Sequence, residues 1–269
     1  MSYPIENKLV IAVSSSALFD LSEAHEVFTN KGKNEYKKFQ EDNLNNTLQK
    51  GVAFPFIKRF LSINQSFPDD EPVEVVLLSR NSPATGKRVF RSIQHYDLNI
   101  SRAAFMGGSS PYNYIPAFNA SLFLSGDESD VKKAINFGYP AGLIIYGDIC
   151  DDAGSELRVA FDFDGVIADD EAESVLQKTN DLKDFHAHEV QKVDIPHKEG
   201  PLIDLFKKLS MIQKMEEKKA EKDSDFKKIV CTAIITARNA PAHERVINTL
   251  EDWGISPNKG HCCKKFRFE

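Results

Sequence analysis

The fold is most clearly indicated by residues 159–170, Val-Ala-Phe-Asp-Phe-Asp-Gly-Val-Ile-Ala-Asp-Asp. The apolar run 157–163 predicts a buried strand that ends in the carboxylates of Asp162 and Asp164. A separation of two residues places both side chains on one face of the strand, and Gly165 allows the backbone to turn directly afterwards. Carboxylates at the carboxyl end of a parallel strand lie where α/β sheets bind ligands.

Short apolar runs alternate with helical patterns along the rest of the chain. Further strands are predicted at 9–13, 73–78, 103–106, 120–124, 142–146 and 229–235. Helices are predicted over 85–95, 130–137 and 242–253, with an amphipathic helix after Pro201 whose charged end, 216–228, is expected to be solvated. This alternation predicts an α/β fold with mostly parallel sheets, in two Rossmann-like halves at 1–150 and 151–269.

The two halves share internal similarity. AVSSSALFDLSEAHEVF from residue 12 aligns without gaps with AFDFDGVIADDEAESVL from residue 160, so that Ser14 and Ser16 stand where Asp162 and Asp164 stand. VLLSRN from residue 76 likewise matches IITARN from residue 234. Two interpretations stay open: the general likeness of strand-turn-helix units, or a duplication whose first copy has lost the acidic pair.

Composition limits the classes of partner. The 269 residues carry a net charge of -6 with a pI of about 5.7, which argues against binding of a nucleic acid polymer. The four cysteines show no paired zinc spacing. The first apolar run is too short for a signal peptide, and no stretch reaches the ~18–20 apolar residues of a membrane span. We expect a cytoplasmic protein without a membrane partner, and the oligomeric state stays open.

The pair Asp162 and Asp164 favours metal-assisted phosphoryl transfer. Two ionised carboxylates this close require a compensating cation, and Mg²⁺ binds carboxylate oxygens while bridging to phosphate. Asp162 is predicted to attack phosphorus and form an aspartyl-phosphate, and Asp164 to protonate the leaving alkoxide and then activate water. The alternative is a structural acidic turn or a structural cation site.

The run Ile234-Ile-Thr-Ala-Arg-Asn supplies candidate phosphate ligands. The hydroxyl of Thr236 and the backbone N–H of Ala237 are expected to hold phosphate oxygens at a strand end, with Arg238 nearby. Arg238 is equally consistent with a surface charge.

A third group of candidates lies in the first half. Arg80 and Asn81 follow a predicted strand, and Gly107 and Gly108 allow close approach of the backbone to a ligand. We favour a structural or substrate-side role for this group over a catalytic one. The seven histidines are expected to be surface or packing residues, because neither His186 nor His188 has a third ligand in view.

AFDFDGVIADDEAE and IITARNAPAHERVINTLEDWGI resemble the motifs of the haloacid-dehalogenase-like phosphatases. With AVSSSALFDLSEAHEVF, LLSRNSPATGKRVFRSIQHY and AAFMGGSSPYNYIPAFNASLFL, the chain more narrowly resembles the type I cytosolic 5'-nucleotidases and their bacterial relatives, from about residue 8 to residue 255. The resemblance implies Mg²⁺-dependent hydrolysis of nucleoside monophosphates. It implies Asp162 as nucleophile, Asp164 as acid/base and as a metal ligand through its main-chain carbonyl, Thr236 as phosphate ligand, and a helical cap at about 172–225.

The resemblance ends near the C-terminus. The family continues with a strand bearing a phosphate-binding lysine and then an acidic Asp-Asp pair, whereas this chain ends in Asn258-Lys-Gly-His-Cys-Cys-Lys-Lys-Phe-Arg-Phe-Glu. In the first half, Asp127 occupies the place of that acidic pair. The departure suggests a truncated second half, and with it an alternative function as a catalytically impaired nucleotide-binding protein. A phosphatase of another small phosphomonoester is the third possibility.

Overall fold

A computed structural model describes residues 8–147, 149, 151, 154–179, 181–236 and 243–255 of the chain. The chain divides into two compact units, residues 1–155 and 156–269. None of the helices within the described ranges combines the length and the apolar character that crossing a membrane requires.

The first unit is built around a five-stranded sheet. Its elements in chain order are β1 (Leu9–Val13), α1 (Ser15–Leu18), α2 (Ser22–Asp42), α3 (Phe54–Ser66), β2 (Val73–Ser79), α4 (Lys87–His95), β3 (Arg102–Phe105), β4 (Leu122–Ser125), α5 (Glu128–Asn136) and β5 (Ala141–Leu143). The strand order is β3-β2-β1-β4-β5, and every pairing is parallel. The predicted mixed α/β fold with a mostly parallel sheet is therefore confirmed.

The centre of this sheet is buried on both faces. All residues of β1 and β2 are buried, as expected for parallel strands covered by helices on both sides. Val10, Ala12, Val76 and Phe123 form the core of one face. The continuous apolar runs that predicted these strands arise from this two-sided burial.

The second unit begins with the strand that carries the acidic pair. Its elements are β6 (Leu157–Asp162), α6 (Glu171–Thr179), α7 (Leu182–Gln191), α8 (Ile203–Lys222), β7 (Val230–Ile235) and α9 (His243–Asp252). Strands β6 and β7 pair in parallel. Each predicted strand and helix lies within a few residues of its expected place, although residue 242, the predicted start of the last helix, lies outside the described residues.

Helix α8 packs against β7, and a buried glutamate helps to join them. The carboxylate of Glu216 accepts hydrogen bonds from the backbone N–H groups of Ile229 and Val230, at 2.8 and 3.2 Å. The side chain of Gln213 donates to the carbonyl of Val230 at 3.3 Å. Glu216 is fully buried, so the expectation that 216–228 begins a solvated helix end was wrong at this residue. The reason is that the first N–H groups of β7 need an acceptor, which the side chain from α8 supplies.

The two units repeat the same local path. After β1 the chain forms an isolated antiparallel bridge between Phe19 and Lys50, and after β6 it forms the corresponding bridge between Ala168 and Glu199. A glycine follows each bridge, then a helix and a parallel strand. Lys50 and Glu199, with the glycine that follows each, lie outside the aligned segments, whereas Phe19 and Ala168 lie inside them, one position out of register. The shared path agrees with a duplication. The expectation that each half is Rossmann-like is consistent with this shared path, and it stays a prediction.

Burial raises the pKa of the Glu216 carboxyl above its ordinary value of 4.5. We expect Glu216→Gln to be more stable than the wild type at pH 7, because the amide keeps the acceptor oxygen without burying a charge. This advantage should shrink as the pH falls towards 4.5, where the wild-type carboxyl becomes protonated in the folded state.

Glu216→Ala provides the contrast, because it leaves two N–H groups without their acceptor and should cost about 1–3 kcal/mol at pH 4.5, and less at pH 7, where removal of the buried charge offsets part of the cost. Urea denaturation at pH 7 and pH 4.5 measures both variants. An advantage of Glu216→Gln that did not change with pH would contradict the proposed titration.

Candidate functional site

Strands β6 and β7 bring the two chemical motifs to one edge of the second unit. In their parallel register Asp162 is the partner of Ile235, so Thr236 follows β7 at the edge where Asp162 ends β6. Carboxylate and hydroxyl groups therefore leave the carboxyl ends of two neighbouring parallel strands, the edge where α/β sheets bind ligands.

A tight turn follows Asp162. Residues Phe163–Ile167 form a wide helical turn that closes with a hydrogen bond of 2.9 Å from the Ala168 N–H to the Phe163 carbonyl. Asp164 is extended, and Gly165 has a φ of +71°, a left-handed conformation that disfavours side chains. The predicted turn at Gly165 is therefore present.

The two carboxylates of the turn differ in exposure. Asp162 is exposed and its carboxylate accepts a hydrogen bond of 2.8 Å from the N–H of Phe163. Asp164 is half-buried. A charged oxygen of Asp162 thus remains accessible to a ligand while the local hydrogen bond orients the side chain.

The segment before α8 braces this turn from one side. The N–H of Gly200 donates to the Ile167 carbonyl and the N–H of Leu202 donates to the Val166 carbonyl, each at 2.9 Å. A Cβ atom on Gly200 would lie 2.3 Å from the Ala168 carbonyl oxygen. Only glycine lets the two segments approach this closely.

Some of the predicted phosphate ligands cannot be placed. Thr236 is half-buried at the end of β7, but Ala237 and Arg238 lie outside the described residues. Helix α8, within the predicted cap range 172–225, packs on β7, and Phe206 of α8 contacts Phe161 of β6 with ring centroids 5.1 Å apart. The cap role of the range 172–225 stays a prediction.

The structure brings the four first-unit candidates together. The N–H of Gly107 donates to the Asn81 carbonyl at 3.0 Å, and the N–H of Gly108 donates to the Arg80 carbonyl at 2.6 Å. Both glycines have positive φ, +60° and +108°. The hydroxyl of Tyr36 donates to the Asn81 side chain at 2.7 Å.

Arg80 is committed to partners within its own unit. Its guanidinium forms two hydrogen bonds to the Asp130 carboxylate, at 2.6 and 2.8 Å, and lies 3.5 Å from the Asp127 carboxylate. The hydrogen bonds to Asp130 raise the pKa of Arg80. Asp127, which holds the repeat position of the family's acidic pair, also caps α5 by accepting from the Asp130 N–H. These contacts are of the kind expected for the structural alternative of the structural or substrate-side role, which stays a prediction for Arg80.

A buried charge cluster in the second unit escaped the sequence analysis. Arg245 of α9 is 1% exposed and donates to the carboxylates of Glu189 and Glu171, at 2.8 and 3.1 Å, and to the Ile195 carbonyl at 2.9 Å. Its partners lie at least 50 positions away in the chain, so no local pattern signals them.

The carboxyl pKa of Glu171 is lowered by its neighbours in this cluster. The hydrogen bond from Lys192, followed by contacts with Arg245, lowers its pKa to about 2 although partial burial opposes the shift. Glu171 is thus ionised throughout the physiological range.

One group of three ligating side chains emerges from the described residues. Asp169, Glu171 and His197 each offer an oxygen or nitrogen atom, and these atoms lie within 4.8 Å of one another. The group includes neither Asp162 nor Asp164. His197 is 2% exposed, so it is buried rather than at the surface.

The comparisons with known proteins agree with the two strand-end motifs. A family model described as 5'-nucleotidase matches residues 1–261. The human protein cytosolic 5'-nucleotidase 1B is 31% identical over 263 residues, an alignment that covers 93% of this chain and 42% of the human protein. The chain thus spans less than half the length of that relative. No solved structure gives a significant match.

Removal of Arg80 should destabilise the first unit. Arg80→Ala leaves the buried Asp130 carboxylate, 3% exposed, without its guanidinium. We expect a loss of about 1–3 kcal/mol in the free energy of unfolding, below the ~3–5 kcal/mol of fully buried pairs because Arg80 is partly solvated.

The matched control is Arg158→Ala, which breaks an ion pair to Glu156 whose side chains are both largely exposed. Such surface pairs contribute about 0–1 kcal/mol. Urea denaturation compares the two variants, and equal losses would argue against a structural role for Arg80.

Proposed function

This chain belongs to the 5'-nucleotidase family, and from that premise we propose that it hydrolyses nucleoside 5'-monophosphates to the nucleoside and phosphate. The human relative carries the name of a cytosolic 5'-nucleotidase. By the same likeness, the proposed location is the cytosol.

One observation carries the proposal. The parallel register of β6 and β7 sets Asp162 beside Ile235, which Thr236 follows. An accessible carboxylate and a hydroxyl at one sheet edge supply a nucleophile and a phosphate ligand for the same phosphoryl group.

The proposed reaction has two steps. A carboxylate oxygen of Asp162 attacks phosphorus, the bond from phosphorus to the ester oxygen breaks, and Asp164 gives its proton to the departing alkoxide. Asp164 then takes a proton from water as the water oxygen attacks phosphorus, which releases phosphate and restores the Asp162 carboxylate. Thr236 would donate a hydrogen bond to a non-bridging phosphate oxygen throughout.

The residues of the turn fit Mg²⁺. Asp162 and Asp164 offer oxygen donors, which this hard cation prefers, and Asp162 is exposed enough to reach one. When bound, Mg²⁺ offsets the repulsion between the carboxylates and the phosphate. Asp162, through its side chain, and Asp164 would hold it.

A second candidate function is nucleotide binding without turnover. Among the described residues, no third side chain of a metal-binding type joins Asp162 and Asp164 in a three-ligand group, and this favours the second candidate. A Mg²⁺ ion held by fewer carboxylates binds more weakly. Hydrolysis of a different small phosphomonoester is a further variant of the main proposal.

Phosphate release from AMP and IMP tests the proposed function. We expect the purified full-length chain to release phosphate in excess Mg²⁺, and expect EDTA to abolish this release. Asp162→Asn should reduce the rate by at least about 1000-fold, because the amide cannot act as the nucleophile. The matched control is Asp69→Asn, which neutralises an exposed carboxylate of the first unit and should leave the rate unchanged.

The outcomes separate the candidates. Undiminished turnover by Asp162→Asn would rule out the proposed nucleophile. Nucleotide binding in calorimetry without any turnover by the wild type would favour the second candidate. Turnover of a sugar phosphate in preference to AMP and IMP would move the substrate to another class.

The covalent intermediate gives an independent prediction. After acid quenching during turnover of AMP that carries a radiolabelled phosphate, the wild type should retain label that hydroxylamine releases, as expected for an acyl phosphate. Asp164→Asn should retain more label than the wild type if hydrolysis of the aspartyl-phosphate is slowed more than its formation. Label retained by Asp162→Asn would place the intermediate on another residue.

A further inference from the structure

His197 is a buried side chain whose ring nitrogens both face carboxylates. It is 2% exposed, Nδ1 lies 3.6 Å from an Asp169 oxygen, and Nε2 lies 3.4 Å from a Glu189 oxygen. Within the described part of the chain neither nitrogen makes a hydrogen bond, and the same holds for Oδ1 of Asp169. Buried polar atoms are rarely left in this state, so the site calls for a further partner.

We propose that Asp169, Glu171 and His197 bind a first-row divalent transition-metal ion such as Zn²⁺. The site is separate from the Asp162 and Asp164 pair, and it does not rest on the proposed phosphatase activity. Its three ligand atoms lie within 4.8 Å of one another.

The distance between the ligand atoms of His197 and Asp169 suits such an ion. With bonds of about 2.1 Å, tetrahedral geometry separates two ligand atoms by about 3.4 Å. The 3.6 Å between Nδ1 of His197 and Oδ1 of Asp169 is close to this value and too long for a hydrogen bond. One ion between these two atoms would satisfy both.

The far side of the imidazole has the partner that metal-binding histidines use. When Nδ1 binds an ion, Nε2 carries the proton, and it faces the fully buried carboxylate of Glu189. Arg245 in turn holds Glu189 at 2.8 Å. A carboxylate that fixes the ring orientation of a metal ligand is the recurrent outer layer of zinc sites.

The net charge of the cluster favours the binding of a cation. The carboxylates of Asp169, Glu171 and Glu189 face the cations of Arg245 and Lys192, which leaves one net negative charge with neutral histidines. His188 also faces this cluster, with Nδ1 3.3 Å from Glu189 and Nε2 3.9 Å from Glu171.

Lys192 is the competitor for the site. Its ammonium contacts Oε1 of Glu171, one of the three proposed ligand residues, and its side chain is 35% exposed. Because it borders solvent, Lys192 can move into water when an ion enters.

The mixed donor set selects the type of ion. Imidazole nitrogen is a good ligand for Zn²⁺ and its neighbours in the first row, whereas Mg²⁺ prefers a shell of oxygen atoms. The proposed site should therefore hold its ion in the presence of excess Mg²⁺.

The position of the site points to a structural role beside the catalytic turn. The His197 ring packs on the Phe163 ring, which lies between Asp162 and Asp164, with centroids 5.4 Å apart. The N–H of Asp169 donates to the Lys198 carbonyl at 2.9 Å. An ion joining Asp169 to His197 would tie the end of that turn to the segment that braces it.

Cobalt binding by the full-length chain provides the test. The background variant carries Asp162→Asn and Asp164→Asn, so that the candidate Mg²⁺ site is removed, and Cys262→Ser and Cys263→Ser, so that the adjacent thiols are absent. In excess Mg²⁺ we expect equilibrium dialysis to find one bound Co²⁺, with visible bands of a low-symmetry site and no near-ultraviolet band from thiolate ligation.

Substitutions then assign the ligands. In this background His197→Gln should weaken Co²⁺ binding by more than the ~10–100-fold typical of an outer-layer residue. The matched control His25→Gln, at an exposed position of α2, should leave binding unchanged. Lys192→Ala should tighten binding, an effect that damage to the fold would not produce.

Three results would overturn the proposal. They are the absence of bound Co²⁺ in the background variant, a thiolate band in its spectrum, and equal binding by folded His197→Gln. Circular dichroism establishes whether His197→Gln folds. If it does not, Asp169→Asn, which changes a less buried ligand, takes its place, and undiminished binding by that variant is equally decisive.

Discussion

The parallel pairing of β6 and β7 is the constraint on which the candidate site depends. Asp162 and Thr236 are 74 positions apart in the chain, and only the register that aligns Asp162 with Ile235 puts them at one edge. A side-chain period of two makes that register unforgiving, because a slip by one residue would turn each strand's side chains to the opposite face. The acceptors that Glu216 offers to the first N–H groups of β7 help to fix where the strand begins, and so where it ends.

Buried charged side chains join several elements of the second unit. Arg245, Glu189 and His197 are all at most 2% exposed, and they join α9, α7 and the segment before α8. Buried ion pairs add little net stability over apolar residues, but removal of one partner is costly because the other charge stays buried. Such a network therefore favours one arrangement of its helices over others, and here that arrangement surrounds the residues that follow the turn after Asp162.

The elements of the fold could be predicted because they depend on local patterns. Strands such as Leu9–Val13 and Val230–Ile235 are short apolar runs, and the turn after Asp162 has the glycine that its backbone needs. The buried charges could not be predicted in the same way. Glu216 looks like any other residue of a lysine-rich helix end, and what buries it is the start of a strand 13 positions later. His197 has the same difficulty, since its two carboxylate partners come from two separate segments.

The two units deal differently with carboxylates near strand ends. In the first unit, Asp127 and Asp130 follow β4, and the guanidinium of Arg80 after β2 pairs with both, so its single positive charge offsets one of their two negative charges. Ser14 and Ser16 hold the positions of the acidic pair there, so no further anions accumulate at that edge. In the second unit, Asp162 and Asp164 put two anions next to each other, and Asp162 is open to solvent. Carboxylates that face solvent can bind a cation from outside together with a phosphate. Carboxylates that already pair with a guanidinium are less suited to bind one. The same strand-turn-helix path can therefore serve as scaffold in one copy and as a site for chemistry in the other.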